Sequence, residues 1–320
     1  MLNFDRQYEF TFFDINENNV VVDVKNVAIR NSVNFSFNYS ISSNIFNIAT
    51  FYFYNLSEKT ANLFTSKNNQ RGFYFRCSYQ DPKNLKNSLL IRALTFRVYS
   101  YRVGPDVITE VTAQDTFINT GLVKVKNLNY PKNTTAKKIV EDISNYLGVF
   151  SAVSGTSFLT IKPTYNHPLC FNNVTAVSII TSVCSDNSCK WSYDVNGISI
   201  TPLPNHPSHQ RSNRLDNNIF VGETQLLKIN RNSGLVGNVK AEALSAQMFP
   251  VEYFASQRLV DNYPFVSATI LLRPVRIHSL VLIECETKEL NGFYTVFSIN
   301  YVGEYYGNSW FTNLKLIPNG

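Results

Sequence analysis

Long apolar runs are missing from this sequence: no window approaches the roughly 18 residues of a helical membrane span. Charge is scarce, at 16% of 320 residues. Lysine and arginine (29) exceed aspartate and glutamate (23) only slightly, and nowhere do they form a run dense enough to mark a phosphate-binding patch. Histidine is rarer still: His167, His206, His209 and His278 are the complete set. The five cysteines, Cys77, Cys170, Cys184, Cys189 and Cys285, are odd in number. The opening MLNFDRQYEF carries Asp5 and Glu9 and no apolar stretch, so no export signal is expected. Mostly free thiols and synthesis in a reducing cytoplasm follow as expectations. Cys184 and Cys189, with His167 and Cys170 as the only nearby candidates, do not match a zinc spacing. No nucleophile elbow, Walker loop or H-E-x-x-H is present.

What the chain has in quantity is aromatic residues, 14%, within a hydrophobic share of 44%. Both aromatic strands and extensive subunit contacts fit that composition. The patterning is mostly of period two. SVNFSFNYSI places Val33, Phe35, Phe37, Tyr39 and Ile41 on one face, which predicts a half-buried strand. NIATFYFYNLSEKTAN predicts a strand with Phe51 and Phe53 opposite Tyr52 and Tyr54, running into a short helix. Ser57 stands at the cap, Glu58 lies in the first turn, and Leu63 and Phe64 turn back onto the sheet. LLIRALTFRVYSYRV and VITEVTAQD read as a hairpin turned at Gly104-Pro105-Asp106.

The middle of the chain differs. NTTAKKIVEDISNYLG is a helix capped by Thr134 or Thr135, with Ile139, Ile143 and Leu147 on one side. Val174 to Cys184 reads as a helix or a buried strand, and a hairpin turning at Asn196-Gly197 follows. PLPNHPSHQR, with Pro202, Pro204 and Pro207, marks a linker. Strands return: Glu223 to Asn230, Val266 to Leu272, Ser279 to Glu286, and a closing meander through Asn291-Gly292 in which Trp310, Thr312, Leu314 and Leu316 alternate. The expected fold class is mainly β with an α+β insert, divided as 1–115, 116–205 and 206–320.

The order of ATFYFYNLSEKT, VGPDVITEVTAQD, NTTAKKIVEDISNYLG, CKWSYDVNGISITP, SGLVGN and ELNGFYTVFSINYVGEYYGNSWFTNLKL resembles the trimeric baseplate hub family of phage tails. That resemblance implies two tail-tube-like β-barrel domains flanking the α+β segment. It implies a homotrimer that presents six barrels and adapts a six-fold tail tube to a three-fold central spike. Implied partners are a second and third copy of the chain, the tail tube or a tube-initiator protein, the spike, and a baseplate wedge or tape measure protein. The resemblance further implies that DNA passes through without specific binding, that no membrane is involved, and that the location is the tail baseplate of the virion. No enzymatic or spike domain is expected after about Pro318.

The residues themselves assign no catalytic, cofactor-binding or metal-ligating site, and no cofactor. Two alternatives have candidate residues. A tail-associated cell-wall hydrolase would use Glu284 or Glu286, which fall on one face of an expected strand. A glycan- or receptor-binding β-protein would use exposed Tyr and Trp. Glu141 and Asp142 read as the solvated side of their helix, His206 and His209 as loop residues, His278 as a turn residue, and Gly234 to Gly237 as a turn without a phosphate-binding lysine.

Overall fold

The computed structural model describes residues 6–15, 21–42, 47–65, 70–79, 88–115, 124–146, 153–195, 197–202, 226–242 and 265–318. The chain is mainly β. In chain order its longer elements are β1 (Arg6–Ile15), β2 (Val21–Arg30), β3 (Phe35–Ser42), β4 (Ile48–Tyr54), α1 (Glu58–Ala61), β5 (Gln70–Tyr79), β6 (Leu89–Val103) and β7 (Asp106–Asp115). There follow α2 (Ala136–Tyr146), α3 (Ala176–Asp186), β8 (Cys189–Asp194), β9 (Gly197–Pro202), β10 (Leu227–Ile229) and β11 (Lys240–Glu242). The last are β12 (Phe265–Leu271), β13 (Leu280–Ile283), β14 (Gly292–Glu304) and β15 (Trp310–Pro318). Two compact units result: 1–119 with 270–275 and 299–313, and 120–269 with 276–298 and 314–320.

In the first unit the strand order is β15, β14, β3, β4, β7, β6, β5, β1, β2. The path from β3 to β1 passes through four other strands, yet its ends meet. Phe10 of β1 lies 5.7 Å from Phe35 of β3, ring to ring, and the Tyr8 hydroxyl donates to the Val33 carbonyl at 2.7 Å. The sheet is therefore rolled into a barrel around its inner face. Period-two alternation supplies the filling: Tyr8, Phe10, Phe12, Phe35, Phe37, Phe51, Phe53, Phe73 and Phe75 are all buried. Ser57 caps α1 by accepting from the Thr60 amide, and Phe64 then drops into the barrel core at 5.0 Å from Phe12 and Phe53. Where the Phe rings stop, Asp14 and Arg71 face each other across β1 and β5, both buried, with Oδ1 and Nε 2.6 Å apart but off hydrogen-bond alignment.

Residues 299–313 finish this core. Trp310 packs edge-on against Phe37 at 5.8 Å, and Tyr301 stacks on Tyr39 at 5.9 Å. Arg6 staples the turn beyond β14, donating to the carbonyls of Glu304 (2.8 Å) and Gly307 (2.7 Å) while lying over the Trp310 ring. Gly303 is required by close approach: a Cβ there would overlap the Phe37 and Trp310 rings.

In the second unit α2 and α3 pack on each other. Thr135, rather than Thr134, caps α2, its hydroxyl accepting from the Lys138 amide at 3.2 Å. The 174–184 stretch is helical: Thr175 caps α3 through the Ser178 amide, and Ile179, Ile180, Val183 and Cys184 form its buried side. The β8–β9 hairpin forms as expected, with Asp194 opposite Gly197. The other strand order is β11, β12, β15, β14, β13, β10, with β10 parallel to β13; residues 265–269, 292–298 and 314–318 of β12, β14 and β15 belong to this unit. Gly234 (φ 96°) and Gly237 (φ 71°) make the expected turn after the 231–233 helical turn, which Asn230 caps. Leu147, His206, His209, Pro204 and Pro207 lie outside the described residues.

Candidate assembly surface

The outer face of the first unit is built by register. β4, β7 and β6 pair so that Tyr52, Glu110 and Tyr99 stand in one row. Thr50, Thr112 and Arg97 form the row on one side, and Tyr54, Ile108 and Tyr101 the row on the other. A β-bulge between Thr95 and Arg97 sets this register and pushes Phe96 outward, leaving it 70% exposed. Glu110 is the centre of the grid. Its carboxylate accepts from Arg97 Nη2 at 3.0 Å and from the Tyr99 hydroxyl at 2.7 Å. Arg97 lies over the Tyr99 ring, and Tyr99 stacks on Tyr101 at 5.3 Å. The hydrogen bond to Glu110 raises the Tyr99 phenol above its ordinary pKa, and burial does the same for Tyr52 with Glu110 adding to it. The face is thus ordered, aromatic and neutralised from within. Such a face suits contact with another protein, because the charges of Arg97 and Glu110 already pair with each other and its rings lose little entropy on burial.

The same geometry weighs against a sugar platform. Tyr99 and Tyr101 turn their ring faces to each other, and both tryptophans are buried, Trp310 fully and Trp191 with its indole N–H bonded to Thr181. The expected exposed Trp does not exist. Glu284 and Glu286 also depart from expectation. β13 ends at Ile283, so they lie in the loop beyond it rather than on a shared strand face. Each is held by its own cation: Glu284 by Lys228 at 2.7 Å, with Asn230 at 3.0 Å, and Glu286 by Arg231 at 2.6 Å. Lys228 and Asn230 hold the Glu284 carboxyl below its usual pKa, the opposite of what a general acid needs.

Among the described residues no cluster of His, Cys, Asp and Glu could hold a metal. Cys184 and Cys189 are buried free thiols, pushed up in pKa by burial, as structural cysteines are. No helix of the described residues is long and apolar enough to cross a membrane.

His278 is a turn residue, as expected, in left-handed backbone (φ 63°) with its amide bonded to the Val296 carbonyl. Burial, with Lys190 adding a second positive charge, pushes its pKa from 6.5 down to about 3. Burial also lowers Lys190 to about 8. Both groups resist charging in the fold and charge freely when unfolded. The second unit should therefore gain stability as pH rises from 3 to 6.5 through His278, and again from 8 to 10.5 through Lys190. Urea unfolding should show a loss of about 2 kcal/mol between pH 6.5 and pH 5. His278→Asn, which tolerates the left-handed backbone, should flatten that slope. An unchanged slope would remove His278 as its source.

The architecture has known counterparts. A 43 kDa tail protein of prophage MuSo2 from Shewanella oneidensis is similar in structure with a TM-score of 0.61, at 9% identity, over 97% of each chain. The tail protein from Neisseria meningitidis MC58 matches with a TM-score of 0.60, at 8% identity, over 98% of this chain and 97% of that one.

The chain has the fold of phage tail proteins.

The tail-protein fold extends to an Escherichia coli component of the type VI secretion system, itself described as structurally similar to the T4 tail proteins gp27 and gp5. It matches with a TM-score of 0.55, at 8% identity, over 89% of this chain and 74% of that one. At these identities the likeness lies in the fold, and it bears out the resemblance read from the ordered strand and helix signatures. No family model matches the sequence, and no curated protein matches it.

Proposed function

We propose that this chain is a structural, non-enzymatic hub of a phage tail baseplate. The observation that carries this reading is the likeness to two tail proteins over 97% or more of every chain compared. In this reading three copies form a ring. Segments 1–115 and 206–320 supply two tube-like barrels per copy, with 116–205 as the α+β segment, and 206–320 lends 270–275 and 299–313 to the first unit. Six barrels meet a hexameric tail tube or its initiator on one side, and a trimeric spike on the other. A wedge or tape measure protein joins the periphery, and DNA crosses the channel without sequence-specific contact. The chain is made in the host cytoplasm and ends in the virion. The Tyr52–Glu110–Tyr99 face is a surface for those contacts. Native mass measurement of the purified protein should give three chains, and images should show a ring of six lobes. A particle of one chain at every concentration would sink the reading.

A further inference from the structure

Arg273 follows β12 in the 270–275 stretch of the first unit. Its backbone is pinned twice by a buried side chain: its N–H donates to Thr312 Oγ1 at 3.1 Å, and its carbonyl accepts from the same hydroxyl at 3.2 Å. Its guanidinium is in a different condition. Nε and Nη2 are both buried and neither has an acceptor. Arg6 and Arg71 also bury a guanidinium nitrogen, but Arg6 reaches two carbonyls through Nη1 and Arg71 faces Asp14. Buried N–H groups without an acceptor are costly, and an arriving carboxylate relieves that cost by taking N–H bonds from the planar fork. The side chain as a whole is half-buried, so part of it lies at the surface where another chain can meet it. Two of its chain neighbours bring apolar groups to the surface: Leu271 is 40% exposed and Pro274 is exposed.

We propose that Arg273 donates its free N–H groups to a carboxylate presented by a second copy of this chain. This rests on the homotrimer reading above and names one of its contacts. The chain carries the complement. Glu58 and Glu289 are exposed and have no ion-pair partner among the described residues. An arginine on one copy meeting a glutamate on the next is a heterologous contact, the kind that closes a ring.

The test separates assembly from folding. Arg273→Met should weaken trimer association by about tenfold or more. At dilutions where the wild type is monomeric, its thermal midpoint should hold or rise, because two buried N–H groups without acceptors have been replaced by an apolar chain of similar length. Arg273→Glu should abolish the trimer, and pairing it with Glu58→Arg or Glu289→Arg should restore it. Four results would each overturn the proposal: Arg273→Met trimerising like the wild type, a fall in its midpoint in the monomer, no rescue by either swap, or a loss limited to binding of single-stranded or duplex DNA. A wild type that never trimerises sinks the homotrimer reading itself and is seen before any variant is made.

Discussion

Replacing Phe10 by alanine should cost the first unit about 3–5 kcal/mol. The ring is fully buried and touches seven others, with centroids from 4.7 Å (Phe75) to 5.9 Å (Tyr8 and Phe64). Those neighbours come from β1, β3, β4, β5 and the turn after α1, so no single strand can slide in to fill the void. The loss is a large part of the roughly 5–15 kcal/mol that holds a domain folded. It should lower the unfolding midpoint by about 10 °C or more. Phe96→Ser is the matched control: a phenylalanine on the same barrel, 70% exposed, whose loss should move the monomer by no more than about 0.5 kcal/mol. Comparable losses from the two variants would mean that the rolled sheet does not have its centre at Phe10.

The second large effect lies at the Asp14–Arg71 pair. Arg71→Met leaves a buried carboxylate facing an apolar chain, and should cost about 3–5 kcal/mol in urea unfolding. Asp14→Leu alone strands the guanidinium and should cost a similar amount. The double variant should recover most of the loss, because neither charge then has to be desolvated. The 2.6 Å approach without hydrogen-bond alignment strengthens the expectation, since this pair gains Coulomb energy but little directed bonding. If the double variant is as unstable as the sum of the singles, the pair is not the unit that matters.

Much of this was legible in the residues. β3 and β4 follow from alternation so regular that Phe35, Phe37, Tyr39 and Ile41 are all buried, as are Phe51 and Phe53. Ser57 marked a helix start because few residues other than Ser, Thr, Asp and Asn bond the N3 amide. Other features were out of reach. The 174–184 stretch is apolar on too many sides for periodicity to decide, and Thr175 settles it as a helix only once its bond to Ser178 is seen. The strand expected to reach Glu286 stops at Ile283, because Glu284 and Glu286 are drawn to Lys228 and Arg231, more than 50 residues earlier in the sequence. The outward sides of β4 and β6 could be listed from the sequence, but not the row Tyr52–Glu110–Tyr99. That row depends on the one-residue shift at Phe96. Arg273 gives no signal in the sequence at all, since what sets it apart is the absence of an oxygen near two of its nitrogens.

The last contributors to the Phe37 and Tyr39 packing, residues 299–313, are separated from residue 119 by roughly 180 positions of polypeptide. At ribosomal speeds of about 5–20 residues per second, that gap lasts on the order of ten to forty seconds. During it the nascent chain holds an aromatic wall with Trp310 and Tyr301 still unmade. Translation itself therefore imposes a waiting period, and a chain that stops short of residue 299 is left with a sticky open flank, a substrate for chaperones and proteases.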